Sequence, residues 1–427
     1  MTLLIRGGRV IDPAGGLNGN LDILIKGGVI DRVEENISPE SVSESFRLLD
    51  ASDAFVSPGF VDAHAHFRDP GYTEKENLHT GALAAAAGGY TSVVLMANTS
   101  PPSDTPERLS ALLKRASEES IHIYSVGTAT KERKGAEAAD LDALSEAGAV
   151  GFSDDGSPLM DEKLVKNIMK RAAGLGKPLS LHEESPEYVG VPGVNEGRIS
   201  SLLGISGAQR EAEISMVKRD LDLALETGCV LDIQHVSAME SVELIRKARK
   251  RDTHGLIHAE ATPNHFSLTE EAVLKYGTNA KINPPLREER DRLAIIEGLK
   301  DGTLDLIATD HAPHTEEEKG RSPFEKAPSG IIGLETAFCL ALKYLVQPGI
   351  LSLSALVERM SLSPSGLYGL PSGTLSPGAR ADLTVFSTRL STTFGKFASR
   401  SSNSPFLGKT LPGRILFTIC EGRIVYS

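Results

Sequence analysis

The sequence has no tryptophan, and aromatic residues make up only 5% of its 427 residues, so its core must be aliphatic. It has three cysteines, Cys229, Cys339 and Cys420, which lie far apart and form no CxxC pair. This pattern argues against a disulfide framework and favours a reducing, cytoplasmic compartment. No apolar run approaches the roughly 18 residues that a membrane span needs. The first residues also lack the apolar core of a signal peptide.

The sequence also has fewer basic than acidic residues. The chain has 45 Lys and Arg residues against 57 Asp and Glu residues, a formal net charge of −12. Nucleic-acid binding needs clustered positive charge that displaces counterions from phosphates. We therefore expect neither a nucleic-acid partner nor a membrane partner. With 40% hydrophobic and 24% charged residues, the composition is otherwise that of an ordinary globular protein.

Both ends of the chain have the pattern of β structure. Residues 1–57 alternate β-type runs with Gly-Gly turns, and residues 366–427 end in a strand, a turn at Glu421-Gly422 and another strand. Because chain termini often lie close together, we predict that these two segments form one small discontinuous β domain. The Ser- and Thr-rich run 387–404 is predicted to be a loop over this domain.

Residues 58–365 alternate apolar runs with stretches of helical periodicity. Continuous apolar strands that are each followed by a helix or a long loop are typical of a parallel sheet with both faces covered. The fold class is therefore predicted to be α/β, a closed (β/α)8 barrel of the TIM type. The eight predicted strands are 59–66, 91–98, 121–128, 149–155, 178–184, 229–236, 255–262 and 304–311. Residues 280–285 are a ninth candidate.

Polar side chains follow these apolar runs where the strands end, and the active site of such a barrel lies at the carboxyl ends of its strands. They are His64, His66, Asn98, Asp154, Asp155, His182, His235 and Asp310. His64 and His66 point to the same face, since residues i and i+2 of a strand do so. Imidazole and carboxylate ligands suit zinc with one position open to water, and a bridging carboxylate could hold a second ion. The pattern predicts a site for one or two zinc ions.

Individual roles follow from the same chemistry. One of Asp154 and Asp155 is predicted to be a ligand and the other a loop-capping acceptor. The Asp310 carboxylate is predicted to take a proton from the attacking water and return it to the leaving nitrogen. Arg68, two residues beyond His66, is predicted to clamp a substrate carboxylate with its two-pronged guanidinium.

The remaining histidines carry less information. Those assigned to the surface or to a structural role are His79, His122, His254 and His258. Glu260, on the predicted seventh strand with His258, is also assigned a structural role because no partner spacing supports it. His265 is left open.

Three stretches carry a resemblance to a known family. SPGFVDAHAHFRDPG (57–71), AKINPPLR (280–287) and IATDHAPHTEEEK (307–319) resemble segments of the dihydroorotases, which are cyclic amidohydrolases, and the similarity covers nearly the whole chain. It implies reversible cyclisation of N-carbamoyl-aspartate, a dicarboxylate, to dihydroorotate in pyrimidine synthesis. The zinc ligands that it implies are His64, His66, Asp155, His182, His235 and Asp310. Asp155 is favoured over Asp154 because the bacterial class has an aspartate there in place of a carboxylated lysine.

The resemblance also implies how the substrate is held. The substrate carboxylate would be bound by Arg68, Asn98 and His314, and the ring would be contacted by Asn283. Further contacts would come from His66 beside the metal and from the backbone of Ser329 and Gly330. Residues 312–330 are similar to a mobile active-site loop. Four positions depart from the family pattern, namely Ala97, Glu183, Asn264 and Ser329, and they bear on substrate fit rather than on the chemistry.

Two alternatives stay open at this stage. Dihydropyrimidinases (hydantoinases) and allantoinases share the HxH motif, but they bridge their metals with a carboxylated lysine on strand four, which here is GFSDDG (151–156). A non-catalytic partner of aspartate carbamoyltransferase would have lost the metal ligands that this chain keeps. The resemblance implies aspartate carbamoyltransferase as a partner that orders active-site loops, and a homodimer is also left open.

Overall fold

The structure is a computed structural model that describes residues 2–42, 45–321 and 323–427. Its strands are β1 (Thr2–Arg6), β2 (Arg9–Asp12), β3 (Leu17–Asn20), β4 (Asp22–Lys26), β5 (Val29–Glu34), β6 (Arg47–Asp50), β7 (Phe55–Pro58), β8 (Phe60–Ala65), β9 (Tyr90–Leu95), β10 (His122–Ser125), β11 (Leu179–Leu181), β12 (Leu231–Ile233), β13 (Ile257–Ala261), β14 (Leu306–Ile307), β15 (Leu383–Thr393), β16 (Thr410–Cys420) and β17 (Arg423–Tyr426).

The α-helices fall between β8 and β15. They are α1 (Leu78–Ala87), α2 (Pro106–Ala116), α3 (Leu141–Glu146), α4 (Glu162–Gly174), α5 (Arg198–Leu203), α6 (Glu211–Thr227), α7 (Met239–Arg251), α8 (Pro263–Ser267), α9 (Glu271–Tyr276), α10 (Glu289–Asp301), α11 (Glu316–Lys319), α12 (Ala337–Ala341), α13 (Leu353–Val357) and α14 (Ser363–Tyr368). Among the described residues, no helix combines the length and the apolar character that a bilayer crossing requires.

The two ends of the chain share a β-sheet. One sheet has the strand order β17-β16-β15-β7-β2-β3, in which β7 pairs antiparallel with β15 and parallel with β2. A second sheet has the order β5-β4-β1-β6. Buried apolar side chains from both sheets pack into one cluster, which includes Ile5, Val56 and Leu383. Burial of this shared apolar face holds the two terminal segments together.

The middle of the chain forms the predicted ring of parallel segments. Parallel pairing joins β8 to β9 and β9 to β10, and it joins β11, β12, β13 and β14 in that order. The fourth position is a pair of single bridges, in which Phe152 pairs with Gly127 and with Leu179. A further parallel bridge between Ala65 and His311 connects the last segment to β8. Large apolar side chains, among them Phe152, pack between the strands and the surrounding helices.

Two strand predictions need correction. Residues 149–155 form isolated bridges at Phe152 rather than a regular strand. After Phe152, the Asp154 carboxylate accepts the backbone N–H groups of Ala129 and Thr130, so these donors do not continue the pairing. The ninth candidate, 280–285, forms no strand, which accords with its consecutive prolines, since proline cannot donate to a sheet.

Residues 394–409, between β15 and β16, cross to the carboxyl ends of the barrel strands. Ser399 donates a hydrogen bond to the buried Glu76, and Asn403 Nδ2 donates to the carbonyls of Ala312 and Gly330, 3.0 Å away in both cases. The prediction of a loop over the β domain at 387–404 is therefore wrong, since residues 387–393 belong to strand β15 and the rest crosses to the barrel. These short polar side chains bond a buried carboxylate and two backbone carbonyls of the barrel loops, which composition alone does not reveal.

Candidate active site

His64 and His66, at the end of β8, face the carboxylates of Asp155 and Asp310. His64 Nε2 lies 3.5 Å from Asp155 Oδ1 and 3.6 Å from Asp310 Oδ1. His66 Nε2 lies 3.0 Å from Asp310 Oδ1 and 3.6 Å from Asp155 Oδ2. The two-residue spacing thus brings both imidazoles to the same pair of carboxylates, as the strand geometry requires.

The other two predicted histidines complete the cluster from the opposite side. His182 follows β11 and His235 follows β12, and His182 Nδ1 lies 2.9 Å from His235 Nε2. Asp155 Oδ1 is 3.8 Å from His182 Nδ1 and 3.7 Å from His235 Nε2. The Asp155 carboxylate therefore lies between the two histidine pairs, which is the position that a bridging ligand would occupy.

The chemistry of these side chains fits divalent cations. The ligand atoms of His64, His66 and Asp310 lie within 4.8 Å of one another, and so do those of His64, Asp155 and His235. His64 Nε2 is buried and has no hydrogen-bond partner in the structure. An unpaired buried nitrogen costs free energy, and a cation would supply the missing partner. Nitrogen and carboxylate donors in this arrangement can hold one or two metal ions.

Electrostatics in the cluster favour ionised carboxylates. Burial alone would raise the pKa of Asp155, but the neighbouring imidazoles, His64 first, hold that pKa well below its usual range. Burial likewise opposes a charge on His64, yet the carboxylates of Glu260 and Asp155 raise its pKa well above the ordinary value. The ionised carboxylates are therefore paired with a His64 proton, and a cation bound in the cluster would take the place of that proton.

The two adjacent aspartates have separate roles. The buried Asp154 accepts the backbone N–H groups of Ala129 and Thr130 at 2.8 and 3.2 Å, together with the Thr130 hydroxyl. It caps this loop and does not face the histidines. Asp155 faces them, which is the arrangement that the sequence analysis favoured.

Glu260 is a site residue that the sequence analysis missed. It lies on β13, where its Oε2 is 3.0 Å from His64 Nδ1 and accepts the backbone N–H of His235 at 3.0 Å. The carboxylate fixes the His64 ring so that Nε2 faces the cluster, a role that carboxylates commonly have behind metal-binding histidines. An acidic residue near the carboxyl end of an otherwise apolar barrel strand is the pattern that could have revealed it.

We expect Glu260→Gln to weaken metal retention by about 10- to 100-fold, because the amide holds the His64 ring less firmly and lowers its basicity. The measurement is metal content after titration with a competing chelator. His258→Gln is the matched control, since His258 lies two residues earlier on β13 and pairs with Asp305 at 2.7 Å. Equal retention by both variants would contradict the role of Glu260.

A cavity of about 230 Å³ opens over the cluster at the carboxyl ends of the strands. Its lining contains His66, Arg68, Asn98, Asp155, Gly156, His182, His235, Asn283, Asp310, Ala312, His314, Ser329 and Gly330. Every residue with a predicted substrate contact is among them. Of the four departures from the family pattern, only Ser329 lines the cavity.

Arg68 has its guanidinium available in this cavity. Its Nε donates to the carbonyl of Pro313 at 3.3 Å. Among the described residues no ion pair within 4.0 Å involves Arg68, although Asp310 and Asp155 contribute to its electrostatic environment. The Nη groups are thus free to form a bidentate pair with a carboxylate ligand.

Asn98 and Asn283 present different atoms to the cavity. Asn98 Oδ1 lies 3.0 Å from His66 Nδ1, and Asn98 Nδ2 donates to Asp155 Oδ2 at 2.8 Å, so this amide orients two cluster residues. Asn283 Nδ2 donates to the Glu184 carboxylate, whereas its buried Oδ1 has no partner in the structure. Asn283 Oδ1 is therefore the amide oxygen that could accept an N–H group of a ligand.

His314 is a neutral imidazole at neutral pH. Burial, followed by the positive charges of Arg68 and Lys319, lowers its pKa to about 3. Its Nε2 donates to the carbonyl of Ser329 at 2.9 Å. His314 therefore brings no positive charge to the cavity lining, whereas Arg68 does.

Three site residues adopt left-handed backbone conformations. The φ angles are +58° for Arg68, +34° for His235 and +46° for Asp310. Such conformations cost about 1–3 kcal/mol each in a residue with a side chain and are concentrated at functional sites. Here they occur where each strand ends and the side chain turns toward the cavity.

Asn403, in the segment between β15 and β16, is a second residue that the sequence analysis missed. Besides donating to Ala312 and Gly330, its side chain accepts the backbone N–H of His314 at 3.0 Å. It therefore connects the beginning and the end of the loop 312–330. No local pattern reveals this, because the partners lie 73–91 residues away in the chain.

The other histidines lie outside the cluster. His79 and His258 pair with Glu119 and Asp305, and His122 pairs with Asp382. His254 is exposed. His265, which was left open, is buried between the Thr262 hydroxyl and the Pro284 carbonyl, and burial lowers its pKa to about 4. Both of its ring nitrogens have protein partners, so its role is structural.

Residues 55–425 match the amidohydrolase family, and the chain belongs to that family. Among curated proteins, the dihydroorotase of Clostridium acetobutylicum is 47% identical over 427 residues, covering 100% of this chain and 99% of the relative. The dihydroorotase of Clostridioides difficile is 47% identical over 425 residues and is covered completely, as is this chain. These full-length similarities confirm the resemblance to dihydroorotases that the motifs indicated.

Solved structures support the same architecture. The L-hydantoinase (dihydropyrimidinase) of Arthrobacter aurescens superposes with a TM-score of 0.88 at 26% identity, covering 100% of this chain and 96% of that one. The dihydropyrimidinase of Brevibacillus agri gives 0.83 at 22% identity, covering 100% and 95%. The second similarity shows the shared fold alone.

Proposed function

We propose that this protein is a dihydroorotase, which interconverts N-carbamoyl-L-aspartate and (S)-dihydroorotate plus water in pyrimidine biosynthesis. The observation that carries this proposal is Arg68, whose guanidinium lies without a carboxylate partner, among the described residues, in the cavity beside the His/Asp cluster. A substrate with a carboxylate next to a hydrolysable ring amide matches both features. The full-length identity to curated dihydroorotases supports the same assignment.

We propose zinc as the metal, with one or two ions per chain. The residues that would hold it are His64, His66, Asp155, His182, His235 and Asp310, with Asp155 between the two histidine pairs. Bound at these residues, zinc supplies Lewis acidity that polarises the ring carbonyl. The mixture of imidazole and carboxylate donors supports zinc over magnesium or calcium, which prefer oxygen ligands.

In the hydrolytic direction, Asp310 acts as the general base and then as the general acid. Its carboxylate takes the proton of the water that attacks the ring carbonyl, and it returns that proton to the ring nitrogen as the C–N bond breaks. The reverse reaction uses the same group in the opposite order. Arg68 holds the substrate carboxylate, and Asn283 Oδ1 accepts a ring N–H, which together orient the scissile amide over the cluster.

A second candidate is hydrolysis of neutral cyclic amides, because a hydantoinase gives a TM-score of 0.88. Dihydrouracil and allantoin lack the carboxylate that Arg68 would bind. The test is a spectrophotometric assay of the metal-loaded protein on dihydroorotate, dihydrouracil and allantoin. We expect turnover of dihydroorotate alone. Turnover of only the neutral rings would overturn the proposed function.

We also propose that aspartate carbamoyltransferase is a partner that raises activity by ordering the loop 312–330. The loop carries His314, Ser329 and Gly330 of the cavity lining, so its conformation bears directly on substrate binding. The test compares dihydroorotate hydrolysis with and without the carbamoyltransferase. An equal rate in both assays would reject this partner role. A cytoplasmic location and a homodimer stay predictions.

We expect Asn403→Ala to raise KM for dihydroorotate by about tenfold and to change kcat less. The variant removes three hydrogen bonds to the loop 312–330, each worth about 1 kcal/mol at most in net terms, and part of this loss is recovered by solvent. Steady-state kinetics measure the effect. Ser402→Ala is the matched control, since among the described residues its hydroxyl donates to the exposed Glu316 side chain and to no backbone group of this loop. A fall in kcat at unchanged KM would contradict a role in substrate positioning.

A further inference from the structure

A second group of metal-binding side chains lies at the opposite end of the barrel. His122 is the first residue of β10, Asp382 directly precedes β15, and Cys420 is the last residue of β16. One ligand atom from each lies within 4.8 Å of the others. Asp382 is 3% exposed and Cys420 is 5% exposed. Three residues from distant parts of the chain thus offer an imidazole, a carboxylate and a thiol to one point.

The carboxylate is held in place for such a role. Asp382 Oδ1 accepts the backbone N–H of Glu421 at 2.8 Å, and Asp382 Oδ2 lies 3.0 Å from His122 Nε2. A hydrogen bond to one oxygen orients a ligating carboxylate and leaves the other oxygen for the ion. A hydrogen-bonded His–Asp pair would not need a thiol beside it. The position of the Cys420 thiol next to this pair therefore favours a site with three ligands.

The thiol is otherwise weakly engaged. Cys420 Sγ lies 4.0 Å from the carbonyl oxygen of Thr91, at the limit of a sulfur hydrogen bond. Burial, followed by the nearby Asp382 carboxylate, raises the pKa of this thiol above its ordinary value. Because its contact with Thr91 is at this limit, the sulfur atom is available as a third ligand for an ion held by His122 and Asp382.

A cavity of about 390 Å³ gives access to the group. Its lining includes His122 and Cys420 together with Tyr124, Arg380 and Glu421. The lining also contains two arginines, Arg380 and Arg423. Arg380 Nη1 lies 3.4 Å from the Tyr124 hydroxyl, and Arg423 pairs with Glu421 at 3.4 Å, so both guanidinium groups have protein partners. The cavity admits the water that a site with three protein ligands needs in its fourth position.

We propose that His122, Asp382 and Cys420 form a second site for a zinc-type divalent cation. One sulfur, one nitrogen and one oxygen donor suit this class of ion better than magnesium or calcium. The site would connect the barrel with the β domain, because His122 belongs to the former and the other two residues to the latter. It lies at the amino end of the strands, where residues serve stability rather than catalysis.

The test uses cobalt(II) on the full-length protein after removal of its metal. None of the ligands at the carboxyl ends of the strands is a cysteine, so a thiolate-to-cobalt charge-transfer band in the near ultraviolet reports this second site alone. We expect the band in the wild type and in Asp310→Ala. Cys420→Ser should lose the band and should bind one ion fewer per chain than the wild type. Cys339→Ser is the matched control, since Cys339 lies in α12 away from the group.

Stability gives an independent measurement. We expect added metal to raise Tm more in the wild type than in Cys420→Ser, because an ion bound only by the folded chain stabilises it. Turnover of Cys420→Ser should equal that of the wild type. If this variant fails to fold, His122→Asn is used instead, because it keeps the thiol. We expect it to weaken cobalt binding, measured by titration of the charge-transfer band. No band in the wild type, or the same band in Cys420→Ser, would overturn the proposal.

Discussion

Asp310→Ala is expected to lower kcat for dihydroorotate by about 10⁴-fold while leaving the barrel folded. A positioned general base contributes about 10²- to 10⁴-fold, and this residue is also a proposed metal ligand. Its Oδ1 lies 3.0 Å from His66 Nε2 and 3.6 Å from His64 Nε2, so the variant removes a carboxylate that contacts two further proposed ligands. Steady-state kinetics, metal analysis and thermal unfolding of the same preparation measure the three consequences separately.

Asp305→Asn is the matched control for this prediction. Asp305 directly precedes β14 at the other end of the same segment and pairs with His258 and Arg249. We expect this variant to keep its turnover and to lose only stability. Asp310→Asn separates the two roles of the carboxylate, because the amide can still approach a metal but cannot take a proton. A rate within about tenfold of the wild type in either Asp310 variant would remove it from the base role.

The fold was predictable from the sequence to the extent that each element has its own local pattern. Continuous apolar runs indicated the barrel strands, and β-rich ends with Gly turns indicated the β domain. The exceptions are segments whose pairing depends on side-chain hydrogen bonds. At 149–155 the Asp154 carboxylate takes backbone donors beyond Phe152, so an apolar run of strand length forms only bridges.

The site was predictable for those residues that lie at the same end of successive barrel strands. Each cluster histidine and aspartate follows an apolar run, so the carboxyl-end rule placed them together. The position of Glu260 near the carboxyl end of a strand was a usable signal, although its partner His64 lies 196 residues away, whereas no local pattern marks Asn403. The left-handed conformation of Arg68 was beyond reach too, since arginine is not among the residue types enriched at positive φ.

The net charge of −12 opposes the approach of the proposed dicarboxylate substrate, so the cavity needs local positive charge. Because His314 has a pKa of about 3, it is neutral at working pH and does not supply that charge. Arg68 lines the cavity, and among the described residues it has no carboxylate within ion-pair distance. Besides the metal, its guanidinium is therefore the group that offsets the repulsion, and most of the carboxylate recognition depends on it.

Arg68→Met is accordingly expected to lower kcat/KM for dihydroorotate by roughly 10²- to 10³-fold. Loss of a partly buried, two-pronged ion pair costs about 3–4 kcal/mol. Arg68→Lys keeps the charge without the planar fork, so we expect an intermediate loss. Metal content should not change in either variant, and Arg251→Met is the matched control because Arg251 pairs with Asp222 and both side chains are exposed. Equal kcat/KM values for Arg68→Met and the control would show that another group binds the carboxylate.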